Sequence, residues 1–337
     1  MTKMTRRGAI AAGLASAAAL ALPARAAGKT MVGALRFTSH APNFVALERG
    51  YFREAGLDVE FSFFQAAQPM AVAIASGDVG FGLTAISGGL ISLADKGAVK
   101  VVGGGLQEEK GIDGQLILAS NAAYDAGLTT PAGLKGKRFG NTTAGSSFHY
   151  MASKIAAAEG FAGEIEMVPL QKVPAVIGAL KSGQVDAWAI VPHIGKALAG
   201  AGAVKQIGWV ADYIPDYQVT TVFTSAATAS GDRGATEAFL GAYAKGAADF
   251  NAALVDKTAG DAAAEEMTRL IHKYVYEDEA YETAKPKIVN GAMRMNEGAA
   301  LNMASIKDQL DWFIAEGLSP ASVTMEALVD PSYVATI

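Results

Sequence analysis

The 337-residue chain contains no cysteine. Disulfides are therefore excluded, and the fold must hold by core packing alone. A lipid-modified cysteine that would tether the chain to a membrane is excluded as well. Proline is scarce, 11 in all, and no low-complexity tract appears beyond a general richness in alanine, which argues against a disordered or linker-rich chain. Catalytic signatures are missing too. There is no G-x-S-x-G, no P-loop, no H-E-x-x-H, and no G-x-G-x-x-G opening a helix after a strand. After the first 26 residues, no apolar run reaches the roughly 20 residues that a membrane span needs.

Those 26 residues read as a signal peptide. Lys3, Arg6 and Arg7 precede an apolar run over residues 8–22, and Ala24-Arg25-Ala26 supplies a small-x-small cleavage signal. The Thr5-Arg6-Arg7 pair before a weakly hydrophobic segment fits twin-arginine export, with general secretion and a retained anchor helix as the alternatives. Four of the 28 basic residues fall in this leader. The remainder carries 24 basic against 33 acidic residues, a net charge of −9, which disfavours nucleic acid as a partner.

The chain as a whole is 51% hydrophobic, ample for one or two packed cores, and its length favours two domains. Short apolar strands alternate with amphipathic helices. Strands are expected over 30–37, 59–64, 79–83 and 99–106. The first helix is expected over 42–56, with Phe44, Leu47, Tyr51 and Phe52 on one stripe and Gly56 as its cap. The series then restarts, with Thr130 capping a helix at Pro131 and strands at 138–141, 165–170, 185–190 and 204–210. From about residue 233 to 317 the pattern is mostly helical. The phrases "IASGDVGFG" and "LKSGQVDAW" share a frame of helix end, glycine and strand, with Gly77 and Gly183 lying 106 residues apart. Alternation of this kind means parallel-rich sheets covered on both faces, and its repetition means two α/β lobes. The segments at 114–120 and 219–225 are candidates for the two strands that cross between lobes as a hinge.

In parallel α/β sheets, ligands bind beyond the carboxyl ends of the strands, beside helix N-termini. The candidate residues there are Ser39, His40, Asn43, Gln68, Thr84 and Ser87 in the first lobe. In the second they are Thr143, Gly145, Ser146, Ser147, His149, Trp188, His193 and Tyr213. The set is rich in hydroxyls, amides and histidines and has no Lys or Arg. Hydroxyls and free N–H groups at helix starts bind anionic oxygens without formal positive charge. Plain helix capping explains Ser87 or Ser146 equally well, and Trp188 serves as core or as a stacking platform. The spacing of His40, His149 and His193 matches no metal motif, so no metal and no cofactor is expected. The acidic run "EDEAYE" from Glu277 reads as a solvated helix face.

The stretches "PNFVALERGYFREAGLDVEF" and "IASGDVGFG", then "PAGLKGKRFG", "GSSFHYMASKIAAAEG" and "GQVDAWAI", resemble the periplasmic substrate-binding proteins of ABC importers for aliphatic sulfonates, taurine and nitrate. That family also includes binders and synthases of the thiamine pyrimidine precursor. The resemblance runs from Thr30 to Tyr217, and the helical tail fits it. It implies a two-lobed periplasmic binding protein fold of type II, an α/β class with two parallel-rich sheets joined by a two-strand hinge and a helical C-terminal tail. The expected boundaries are 1–26 for the leader, 27–117 with 225–337 for the first lobe, and 118–224 for the second. It implies a monomeric, non-enzymatic, periplasmic protein that delivers a small organic anion to an ABC permease and its ATPase. Carried over by position, ligand contacts fall at Ser39, His40, Asn43, Ser87, Ser146, Ser147 and the loop after Trp188. Family members often place an acidic residue with proline in that loop. Here it reads Val191-Pro192-His193, which counts against an amine-bearing solute such as taurine and leans towards an anionic or aromatic one. The synthase branch uses a cysteine-rich motif that this chain lacks. The alternatives are an enzyme acting on a pyrimidine or menaquinone-type precursor, and a sensory binding protein that signals to a membrane kinase.

Overall fold

The computed structural model describes residues 28–337. The leader and its twin-arginine reading lie outside the described residues. The first α/β run comprises β1 (Thr30–Ala34), α1 (Ala41–Glu48), α2 (Tyr51–Glu54), β2 (Val59–Phe63), α3 (Ala67–Ser76), β3 (Phe81–Thr84), α4 (Gly88–Asp95) and β4 (Val99–Gly104). The second comprises β5 (Leu116–Ser120), α5 (Asn121–Asp125), β6 (Arg138–Asn141), α6 (Ser147–Ala158), β7 (Glu166–Pro169), α7 (Val173–Ser182), β8 (Ala187–Ile190), α8 (Pro192–Gly200) and β9 (Val204–Trp209). The chain then returns as β10 (Thr221–Ser225), followed by α9 (Ala226–Gly231), α10 (Arg233–Phe250), α11 (Asp261–His272), α12 (Tyr281–Val289), α13 (Met303–Ala315) and α14 (Met325–Leu328).

Two five-stranded sheets result, ordered β2-β1-β3-β10-β4 and β7-β6-β8-β5-β9. The orders correspond position by position, so the fold is a duplicated α/β unit. In each sheet one strand runs against its neighbours: β10 is antiparallel to β3 and β4, and β5 to β8 and β9. Each of these strands is the first that the chain forms after passing from one sheet to the other. The repeated phrases occupy equivalent places. Gly77 and Gly183 close α3 and α7 in the left-handed conformation, at φ of 85° and 75°, and β3 and β8 follow. Glycine is suited to that position because it carries no Cβ to clash there.

Several local expectations are corrected. The helix expected over 42–56 breaks at Gly50, whose φ of 77° turns the chain between α1 and α2. The first strand stops at Ala34 because the Leu35 N–H leaves the ladder and donates to His40 Nδ1 at 3.2 Å. Residues 38–40 then form a 3-10 turn. Thr130 provides no side-chain cap, and Pro131–Leu134 is a short 3-10 turn. The acidic run is exposed at Glu277 and Asp278, as expected, but these residues precede α12, and Glu277 pairs with Arg36 at 2.9 Å.

The helical tail covers the first sheet. Phe239 of α10 stacks on Phe81 of β3 at 4.2 Å and on Phe52 at 5.2 Å, all three buried. The crossing of α10 over α1 is closest at Gly246, where a Cβ would lie 2.3 Å from the Pro42 carbonyl oxygen. Backbone cannot yield as a flexible side chain can, so Gly246→Ala should cost about 1–3 kcal/mol of stability. A urea denaturation series would register this as a lower midpoint at unchanged slope.

The two connections between the sheets run side by side. Val219 and Thr220 both donate to the Leu106 carbonyl, and Glu108 N donates to the Tyr217 carbonyl at 2.9 Å. Buried Gln218 gathers these strands to the tail. Its Nε2 donates to the Leu106 and Thr220 carbonyls, and its Oε1 accepts from Asn296 Nδ2 at 2.8 Å and Asn302 N at 3.1 Å. The crossing segments are therefore residues just before β5 and β10, slightly upstream of the stretches expected from the sequence.

Candidate functional site

The carboxyl ends of the parallel strands of both sheets face one another across a cavity of about 60 Å³. Ser39, His40 and Thr84 line it from the first sheet, and Ser146, Ser147 and Phe148 from the start of α6. Gln115 and Thr220, one from each crossing segment, complete its polar wall. No Lys, Arg, Asp or Glu lines it.

Two polar groups in this wall are buried without a partner. Ser146 is 4% exposed and its Oγ makes no hydrogen bond; Gln115 is 2% exposed and its Nε2 makes none. Burying a donor this way costs about 1–3 kcal/mol unless something satisfies it. Ser146 stands at the N-cap of α6, yet its side chain caps nothing. Ser87, at the equivalent place before α4, accepts from Leu90 N at 3.2 Å and is an ordinary cap. The two serines therefore differ in what their oxygens do: one is spent on its helix, the other is held towards the cavity.

His40 is fully buried, and burial pushes its pKa down to about 3, so the ring is neutral. Because Nδ1 accepts from Leu35 N–H, the ring proton sits on Nε2, which makes that nitrogen a donor. His193 is also held down to about 3, by burial first and by the nearby His40 second. Its Nδ1 meets Tyr276 Oη at 2.9 Å, and Nε2 has no partner.

The remaining candidates lie outside the cavity wall. Gln68 approaches Ser87 at 3.5 Å. Thr143 accepts from Ser146 N through its carbonyl, and His149 Nδ1 accepts from Gly145 N at 3.2 Å. Asn43 is fully buried in α1 with both amide atoms unpartnered. Trp188 is buried in β8, with Phe148 edge-on at 5.4 Å. Tyr213 donates to Glu159. Gln115 and Phe37 line the cavity but were not singled out in the sequence. Gln115 leads an apolar strand, and its position as the first polar residue of that run is the signal that could have found it.

Contacts across the cavity join the two sheets' elements. Gly88 N donates to the Gly145 carbonyl at 2.9 Å, and Val173 N to the Gln65 carbonyl at 3.2 Å. Tyr150 of α6 donates to Asp308 of α13. His193 of α8 packs on Gly291, whose added Cβ would lie 2.2 Å from His193 Cβ. These contacts hold the two units together beside the cavity. Among the described residues, no cluster of three or more His, Cys, Asp or Glu could hold a metal ion, and no helix is long and apolar enough to cross a membrane.

A family model described as NMT1/THI5 like matches residues 37–253 of the 337. The chain belongs to the NMT1/THI5-like family. No curated protein matches this family member's sequence significantly. Solved structures share its fold. The alkanesulfonate-binding protein SsuA from Xanthomonas axonopodis pv. citri bound to MOPS is 18% identical, with a TM-score of 0.69 over 89% of this chain and 97% of that one. The periplasmic nitrate-binding protein NrtA from Synechocystis PCC 6803 is 15% identical, with a TM-score of 0.69 over 89% and 83%. The desulfurization enzyme DSZB is 14% identical, with a TM-score of 0.58 over 90% and 97%. At these identities the likeness is one of fold, and the fold carries both binding proteins and an enzyme.

Proposed function

We propose that this NMT1/THI5-like protein is the solute-binding component of an ABC importer and holds the acid group of a small organic anion in the cavity. The observation that carries this reading is the convergence of unpartnered, buried Ser146 Oγ and Gln115 Nε2 on a cavity lined from both sheets and free of charged side chains. Neutral donors beside a helix N-terminus suit an anion: the helix dipole supplies field, and the donors supply hydrogen bonds. A neutral His40 adds another donor without competing as a charge. The two sheets are the cores of two lobes, the first including β10 and the tail helices, and the paired crossing segments are their hinge. Closure forms contacts that an open form lacks, so ligand shifts the population towards the closed state. Export of a monomer by the leader, residence in the periplasm, and handover to a permease and its ATPase complete the proposal. Sulfonates, carboxylates and aromatic acids are the solutes to screen by thermal shift, and no stabilisation by any would overturn it. Turnover of a bound acid would favour the enzyme alternative.

The two serines separate binding from folding. Ser146→Ala should weaken binding of the best acid about tenfold and leave the melting temperature nearly unchanged, since its hydroxyl caps nothing. Ser87→Ala should do the reverse, removing a helix cap at a cost of about 1 kcal/mol with little effect on affinity. Isothermal titration and calorimetric melting of both variants check the pair.

A further inference from the structure

Gln115 lines the cavity from the outgoing crossing segment, and a side chain outside the wall fastens its main chain. Between β4 and β5 the chain makes an excursion over 109–114, and Gln115 resumes the crossing. Glu108 closes the neck of this excursion: its Oε1 accepts from Gln115 N at 3.0 Å. The Gln115 carbonyl accepts from Val210 N at 2.9 Å. Both peptide groups flanking its Cα are therefore pinned, and with them the direction of its Cα–Cβ bond. Glu108 is held in turn. Its N–H donates to the Tyr217 carbonyl of the returning segment at 2.9 Å. On either side of it, Gln107 N donates to the Arg294 carbonyl at 3.1 Å and Glu109 pairs with the Arg294 guanidinium at 2.9 Å.

A carboxyl is an expensive group to keep here. Glu108 is fully buried, its Oε2 has no hydrogen-bond partner, and no cation is among its contacts. Burial pushes its pKa up to about 7, and the bonds from Gln115 oppose the rise. It has no room to turn either, since a Cβ on Gly114 would lie 2.2 Å from Oε2. Buried, perturbed carboxyls concentrate at functional sites. Both protonation states leave Oε1 able to accept, because the proton of the acid form sits on the unpartnered Oε2. The bond to Gln115 therefore does not depend on pH. We infer that Glu108 is a positioning residue for the ligand: it fixes the Gln115 main chain so that the side-chain amide Nε2 meets the bound anion. This rests on the anion-binding reading above. A residue of the crossing segment, outside the cavity wall, thereby enters the affinity.

Two variants separate reach from charge. Glu108→Asp keeps the carboxylate and withdraws it by one methylene; Glu108→Gln keeps the reach and removes the charge. Ethanesulfonate and benzenesulfonate are titrated calorimetrically into the parent protein, both variants, Gln115→Ala, and the double variant of Glu108→Asp with Gln115→Ala. Gln115→Ala should weaken binding about tenfold, the loss of one hydrogen bond to a charged group. Glu108→Asp should weaken it nearly as much, and Glu108→Gln should stay within about twofold of the parent. In the Gln115→Ala background Glu108→Asp should add nothing further, a coupling that a general loss of stability would not produce. Hydrogen exchange supplies a readout without ligand: the Gln115 amide should be protected in the parent and in Glu108→Gln, and open in Glu108→Asp. Losses that multiply in the double variant, or Glu108→Asp binding as the parent does, overturn the inference while leaving anion binding intact. Failure of both sulfonates and of the matching carboxylates to bind the parent overturns the anion reading and, with it, the role given to Glu108.

Discussion

Affinity for a sulfonate ligand should weaken about tenfold between pH 7.5 and 5.5. The cause is His193, buried where the two units meet and held down to about 3. Opening separates it from Gly291, Phe37 and Tyr276 and gives its ring access to water, where the ordinary value near 6.5 applies. His40 does not contribute, because its Nδ1 accepts from Leu35 N–H of its own unit, a bond that opening leaves in place. The closed form thus binds protons more weakly than the open one. Closure is unopposed above pH 6.5 and loses up to tenfold for each pH unit below it, until pH approaches about 3. A sulfonate is the right probe because its own charge does not change in this window. Titration calorimetry across the range reads the slope directly, and His193→Gln should flatten it. A flat profile in the parent would mean that the His193 ring stays equally accessible in both forms.

Gly291→Val should weaken binding by about 150-fold or more. A Cβ at this position would meet His193 Cβ at 2.2 Å and His193 Cα at 2.7 Å, contacts that exist only when the two lobes are together. The neighbour is backbone, so it cannot swing aside. Overpacking of this severity reaches the upper end of the usual range, about 3 kcal/mol, which corresponds to that factor. The Lys287 carbonyl also lies within 2.8 Å, so a modest loss of stability in the ligand-free protein accompanies the effect. Small-angle scattering with saturating ligand should show the variant more extended than the parent. Unchanged affinity would show that closure is not required for binding.

The architecture was legible because its signals are local and repeated. Glycines at 77 and 183 punctuate a helix and a strand in both units, and the alternation around them fixed the class. The break at Gly50 was hidden, since Leu47, Tyr51 and Phe52 keep a helical stripe across it. Within the candidate site, loops with Ser39, His40, Thr84, Ser146 and Ser147 could be placed by the rule about strand ends. What distinguishes Ser146 from Ser87 could not be read, because both stand one residue before a helix. Only the orientation of each hydroxyl separates them. Gln115 and Phe37 escaped because their roles arise from tertiary packing: one lies on a crossing segment, the other between two histidines more than 150 residues apart.

The place of β10 in the first sheet bears on how the chain matures during synthesis. It lies between β3 and β4, so those two strands are joined only through it and stay unconnected until residue 225 has left the ribosome. By then every strand of the other sheet, from β5 to β9, has already been made. The inserted unit can finish first, while the amino-terminal piece waits as two unjoined fragments for a late wedge to lock them. A nascent chain stalled with residue 220 just clear of the ribosome should accordingly protect its middle from protease and leave its beginning vulnerable.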